Sequence, residues 1–279
     1  MKTKRSVNTI LTERLVSDKL KLLLKYGGII VDLYYEVQGE GQTLVMLHGG
    51  GTDMRDWIFL TPLLSKNFKV VTVDARGCGK SPAPMEPSNY IEDVLSLMDH
   101  LNIEQATLVG NSIGGQIATE FSLSYPERVQ NLILLSPSLT GFVHSPDLAA
   151  VFQSVQAVVP DVAKMTELTL AAPFYTVTSK SPQRHLMVDM TVHNIKKMLE
   201  WHTPKSIWPK PPAIERLDQL HARTLFILGT LDFADCFRIA EHFRAVPNIR
   251  FAEIQGGDHK INLTHSEEVY TNIATFLGV

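Results

Sequence analysis

The stretch Gly110-Asn111-Ser112-Ile113-Gly114-Gly115 decides how this chain is read. Before it stands Ala106-Thr107-Leu108-Val109, a short apolar and partly β-branched run with the signature of a buried strand. After it, Gln116-Ile117-Ala118-Thr119-Glu120-Phe121 reads as a helix. A G-x-S-x-G turn between strand and helix is a nucleophile elbow, in which the serine is held in a strained conformation with its hydroxyl exposed. Gly110 and Gly114 have a steric reason to be there, because side chains would obstruct both the turn and the close approach of helix to strand. The pentapeptide alone is weak evidence; its neighbours in the chain strengthen it.

Upstream, the strand candidate Thr43-Leu44-Val45-Met46-Leu47 ends in His48-Gly49-Gly50-Gly51. A glycine-rich loop beyond a strand lets backbone N–H groups approach a ligand, and this pattern accompanies half of an oxyanion hole. Gly50 is the expected donor, with Gly51 as the alternative, and the N–H of Ile113 supplies the other half. His48 reads as a loop histidine bonded to nearby backbone.

Downstream, the buried-strand pattern Arg223–Gly229 is followed by Asp232, and the strand Ile249–Ile254 by Gly256-Gly257-Asp258-His259. A serine hydroxyl is a poor nucleophile near neutral pH, so an imidazole must take its proton and a carboxylate must orient the imidazole. Ser112, Asp232 and His259 are the expected set. The order Ser…Asp…His differs from that of chymotrypsin-like and subtilisin-like proteases. Among ten histidines, His265 is the nearest rival, but it stands at the expected start of the last helix, Ser266 to Leu277. Asp235 and Asp258 compete for the acid role; Asp235 fits better as an N-terminal residue of the following helix.

The chain resembles the α/β-hydrolase superfamily, in its lipase/esterase-like branch with a serine nucleophile. The likeness runs from about Tyr35 to Leu277 and includes Asp74-Ala75-Arg76-Gly77-Cys78-Gly79-Lys80-Ser81, similar to the D-x-R-G-x-G-x-S loop of that family. Gly110-Asn111-Ser112 with Gly114-Gly115 is also similar to the carbon–carbon bond hydrolases of ring-fission products. Those relatives usually carry a tryptophan after the histidine, where this chain has Lys260, and use an arginine from the lid, for which Arg184 is the candidate. The resemblance implies an α/β-hydrolase fold with helices on both faces of a mostly parallel sheet. Catalysis by Ser112, Asp232 and His259 is implied with it, and no cofactor or metal.

The alternation of elements supports that architecture: Asp56–Leu64 as helix, Lys69–Val73 as strand, Tyr90–Leu101 as helix. Between about Leu139 and Leu217 it stops. Pro146–Val159, Val162–Leu170 and Arg184–Trp201 read as helices broken by prolines, a helical lid inserted into the core. Its Phe152, Phe174, Tyr175, Met187, Met190, Met198, Trp201 and Trp208 favour a hydrophobic substrate, although each singly reads better as lid core. The expected domains are an N-terminal extension (1–18), a core (19–138 and 218–279) and the lid (139–217). Gly51, Asn111, Arg184 and Trp201 are candidate substrate contacts.

A chain of 279 residues with 44% apolar content can bury one sizeable core. Net charge of −3 gives no reason to expect nucleic acid, and membrane contact is not expected either. Cys78 and Cys236 make no disulfide framework, which suits a reduced, cytoplasmic setting. Val7, Ile10, Leu11 and Leu15 fall at helical spacing, so residues 6–17 read as an amphipathic helix packed on the body of the enzyme. A membrane surface or a partner is the alternative there. Lys19–Tyr26, Gly27-Gly28 and Ile29–Val37 read as a hairpin.

The expected function is cleavage of a small, hydrophobic carboxylic ester, lactone or thioester through an acyl-enzyme. A carbon–carbon hydrolase of a diketone and a slow-turnover ligand sensor are the alternatives.

Overall fold

A computed structural model describes residues 31–279. The expected extension (1–18), its helix, and the first arm and turn of the N-terminal hairpin lie outside the described residues. Seven strands form one sheet: β1 (Tyr35–Gln38), β2 (Thr43–Leu47), β3 (Lys69–Val73), β4 (Ala106–Asn111), β5 (Val129–Leu135), β6 (Arg223–Gly229) and β7 (Ile249–Ile254). Their order across the sheet is β1-β3-β2-β4-β5-β6-β7. All neighbours are parallel except β1, which runs antiparallel along β3 with Tyr35 opposite Val73.

Strands at the centre of a parallel sheet are covered on both faces, so they read as nearly unbroken apolar runs. Side chains alternate between faces along each strand. Leu108, Leu132, Leu134 and Phe226 enter one core with Ile117 and Phe121, while Val109, Ile133, Leu225 and Ile227 enter the other with Trp57 and Ile273. The helices that cover them are α1 (Thr61–Leu64), α2 (Tyr90–His100), α3 (Ile113–Ser124), α7 (Ala234–Phe243), α8 (Ile261–Thr264) and α9 (Ser266–Leu277).

Between β5 and β6 the chain leaves the alternation and forms α4 (Pro146–Gln156), α5 (Val162–Leu170) and α6 (Arg184–Met198), with single 3₁₀ turns between them. Leu148, Phe174, Tyr175, Met187 and Met190 form a core of their own, which also takes in Leu263 from the body. Ser145 caps α4 and Asp161 caps α5, each accepting a hydrogen bond from a backbone N–H three residues on.

Two expected boundaries differ. The helix expected over Asp56–Leu64 is a 3₁₀ turn at Met54–Trp57 followed by the single turn α1, which carries Pro62 near its start. Proline lacks the N–H that a continuous helix through this point needs. The helix expected to reach Trp201 ends at Met198, because Trp201 turns back to donate its indole N–H to the Gly77 carbonyl (3.1 Å). No helix among the described residues is long and apolar enough to cross a membrane.

Candidate active site

Strands β2 and β4 lie side by side although β3 intervenes in sequence, so the chain reverses its direction of travel across the sheet there. In open parallel sheets ligands bind beyond the carboxyl ends of the strands at such a point. Leu47 pairs with Gly110, which brings His48–Gly51 and the elbow to the same rim.

Ser112 has φ 53° and ψ −119°, a left-handed conformation that a side chain rarely adopts. The surroundings enforce it: its N–H donates to the Leu135 carbonyl (3.1 Å), and its own carbonyl accepts from Gln116 (3.1 Å) and Ser138 (2.9 Å). A Cβ on Gly110 would run into the Gly114 backbone, and one on Gly114 into the Leu47 carbonyl. Both glycines are therefore required by contact distance. Helix α3 starts at Ile113, so the partial positive charge of its first turn lies beside the serine.

At the end of β6 the chain turns, and Asp232 is held by its N–H to the Gly229 carbonyl (3.1 Å). His259, after β7, presents Nδ1 to both Asp232 oxygens at 3.2 and 3.3 Å. With Nδ1 as donor, Nε2 remains the proton acceptor of the ring. The imidazole is 6% exposed and stands between the rings of Phe174 and Phe233, 5.8 and 5.4 Å away. The serine and histidine loops touch, since Asn111 Nδ2 donates to the His259 carbonyl (3.3 Å).

Gly50 lies against Ile113, with the Ile113 Cγ2 3.7 Å from where a Gly50 Cβ would stand. The two expected oxyanion donors are thus neighbours. Gly51, exposed at φ 70°, has open space around it. His48 is a structural residue: Nε2 accepts from the Ala75 N–H (3.0 Å), which leaves Nδ1 to donate to the Gly49 carbonyl (2.8 Å).

Three candidate substrate contacts are placed elsewhere. Asn111 is fully buried with both ends of its amide engaged: Nδ2 on Leu135 and His259 carbonyls, Oδ1 on the Lys260 ammonium. Trp201 packs over Gly77, where a Cβ would overlap its indole. Arg184 is exposed at the start of α6. Of the apolar insert residues, Phe174, Tyr175, Met187 and Met190 are insert core, while Phe152 is 53% exposed and Trp208 stacks on Tyr90.

Two features escape a reading of the sequence. Asp258, weighed only as a rival acid, accepts from Val177 N (2.8 Å), Thr178 N (2.7 Å) and Thr178 Oγ1 (2.7 Å), tying the insert to the histidine loop. Lys260 is 1% exposed and bonds Asp56 Oδ2 at 2.6 Å. Burial pushes the Asp56 carboxyl up, but the Lys260 charge and the bonds it receives outweigh this and hold it below the usual carboxylate range. The lysine directly after His259, ahead of the apolar Ile261 and Leu263, was the available signal.

Among the described residues, donor atoms of Asp232, Cys236 and His259 lie close enough to share a metal ion. The Asp232–His259 hydrogen bond accounts for two of them. Burial, and then the charge of Asp232, push the Cys236 thiol well above its ordinary value, so the third is protonated. A separate cleft of about 470 Å³ between β1, β3 and α6 is lined by Asp53, Arg55, Asp74 and His193, and by none of Ser112, Asp232 and His259.

The family model for the α/β hydrolase fold matches residues 42–266. The chain belongs to the α/β hydrolase family. A 2-hydroxy-6-oxo-6-phenylhexa-2,4-dienoate hydrolase of Comamonas testosteroni is 29% identical over 227 residues, covering 72% of this chain and 74% of its own. A 2-hydroxy-6-oxononadienedioate/2-hydroxy-6-oxononatrienedioate hydrolase of Paraburkholderia phymatum is 28% identical, covering 90% and 93%. Among solved structures, an N-acyl homoserine lactone degrading enzyme superposes with a TM-score of 0.70 at 25% identity, covering 88% of this chain and 96% of its own. The enol-lactonase of Burkholderia xenovorans LB400 gives 0.74 at 23% identity, over 88% and 96%, a likeness of fold.

Proposed function

We propose that this α/β hydrolase cleaves a small apolar carboxylic ester, lactones and thioesters included, through an acyl-enzyme on Ser112. The observation that carries the reading is the His259–Asp232 hydrogen bond on the rim where the strained Ser112 elbow lies. Ser112 Oγ forms a bond to the carbonyl carbon while His259 takes its proton. As the tetrahedral species collapses, the carbon–oxygen bond to the alcohol breaks and His259 returns that proton to the leaving oxygen. Water, deprotonated by the same imidazole, releases the acid. Asp232 orients His259, and the N–H groups of Gly50 and Ile113 hold the developing oxyanion, where one lost donor typically costs about 3–4 kcal/mol of barrier.

The insert serves as the lid in this reading, with the Phe174 ring beside His259 and the Phe174 carbonyl accepting from the His259 N–H (3.3 Å). Its apolar core supports an uncharged acyl or alcohol group. The lactone class has support from the lactone-degrading relative.

A second reading, hydrolysis of a carbon–carbon bond in a vinylogous diketone, is favoured by the names of the curated relatives. Against it stand the engaged amide of Asn111, the exposed Arg184 and the buried, paired Lys260, which leave no free polar side chain of this set for a charged diketone.

A fluorophosphonate probe with peptide mapping, followed by matched ester, lactone and diketone assays, tests both. Labelling at Ser112 that disappears in His259→Ala, with turnover of esters or lactones ahead of diketones, is the expected result. Faster turnover of the diketone establishes the second reading. A folded protein that neither labels nor turns over any of them overturns both, in favour of a ligand sensor.

A further inference from the structure

We infer that Lys260 is a positioning residue: its buried ammonium locks together the three loops that carry the nucleophile, the histidine and the oxyanion donor. This rests on the reading of Ser112 as nucleophile. Lys260 follows His259 directly, so its backbone belongs to the histidine loop. Its Nζ reaches Asn111 Oδ1 (2.8 Å), and Asn111 directly precedes Ser112. Its second acceptor is Asp56 Oδ2 (2.6 Å). That same oxygen accepts from the Gly49 N–H (3.1 Å) and from Thr52 Oγ1 (2.9 Å), while the Thr52 hydroxyl also reaches the Gly49 carbonyl (2.9 Å). Both ends of the Gly49–Thr52 turn, with the donor Gly50 inside it, therefore hang on one carboxylate oxygen held by one ammonium.

Steric evidence points the same way. A Cβ on Gly49 would stand 2.7 Å from Lys260 Nζ and 2.9 Å from Asn111 Oδ1, so the loop backbone lies directly on this contact. Stability alone is a poor reason for such a pair, because apolar residues of similar volume replace buried ion pairs at little or no loss. What apolar residues cannot supply is a fixed direction to two acceptors, each one step removed from a catalytic loop. Lys260 touches no reacting atom; it sets where Gly50 and Ser112 stand relative to His259.

The test compares the wild type with Lys260→Met and with the doubly neutral Asp56→Asn/Lys260→Met, which leaves no unpaired buried charge. An ester identified by the assays above and a boronic acid, whose adduct places an oxyanion in the hole, are the probes. Both variants are expected to fold cooperatively, to lose about tenfold or more in kcat with KM within about threefold, and to lose boronate affinity by a similar factor. If Lys260→Met does not fold, the double variant carries the test. A folded double variant with wild-type kcat and boronate affinity overturns the inference, since the pair would then only neutralise itself. A wild type that fails to label at Ser112 overturns the underlying reading instead, whatever the variants do.

Discussion

Around Ser112 the backbone itself sets the geometry, whereas residues 139–217 sit on the body through scattered side-chain and main-chain bonds. The elbow is fixed by main-chain hydrogen bonds from β5 and the loop that follows it, and by glycines with no room for a Cβ. The insert is tied down by Asp258 to Val177 and Thr178, by Asn194 to Asp53 and the Gly79 N–H (both 2.8 Å), by Trp201 to Gly77, and by main-chain bonds that include the Ser88 N–H to the Lys205 carbonyl (3.0 Å) and the His259 N–H to the Phe174 carbonyl (3.3 Å). An elbow built on backbone and packed glycines has one solution, and the Lys260 bonds set that elbow against the neighbouring loops. The scattered bonds of the insert can be changed one at a time without touching the elbow.

Substitutions in each region tell the two apart. Ser112→Ala, at the centre of the rigid half, is expected to lower ester turnover about 10⁴-fold or more while the unfolding temperature hardly moves. Gly114→Ala should lose both activity and about 2–3 kcal/mol of stability in denaturant titrations, since its methyl meets the Leu47 carbonyl. On the insert side, Asn194→Ala should cost about 1–2 kcal/mol and raise KM severalfold, with kcat within about twofold. Should Asn194→Ala instead lower kcat as deeply as Gly114→Ala, the division between rigid rim and adjustable cover fails.

Acid probes the same boundary more gently. The Asp56 carboxyl is held below its ordinary value in the folded protein, so its contribution is present above the unfolded value of about 4 and is lost as pH falls through the folded one. Urea titrations from pH 6 to pH 3 should show the wild type losing stability relative to Asp56→Asn/Lys260→Met below about pH 4. Smallest of all is the thiol effect. Burial pushes the Cys78 thiol up to about 12, and Cys236 is raised as well, so a disulfide reagent at pH 8 should leave both unmodified and activity unchanged until urea is added.

Elements with strong local signals were legible in the chain. β2, β3, β6, β7, α5 and α9 follow their expected bounds because apolar or alternating strand patterns and helical periodicity leave little choice. The positions of Ser112, Asp232 and His259 beyond the strand ends were legible because each follows a recognisable strand. What stayed hidden depends on contacts far apart in sequence: the local pattern makes Asp56 only the start of a helix, yet it bonds a lysine 204 positions away. Asn111, beside the nucleophile, pointed to a substrate contact by proximity, but an amide has two ends and both are used inside. Trp201 was read into a continuing helix, and the close approach to Gly77 that turns it back is invisible from local pattern.

The shared ammonium also has an evolutionary side. Positions 56, 111 and 260 form one heritable unit, because changing Lys260 alone strands a buried carboxylate and an unpaired amide oxygen. Libraries that saturate position 260 alone will therefore sample mostly impaired sequences, while those that randomise 56, 111 and 260 together let the three change in concert.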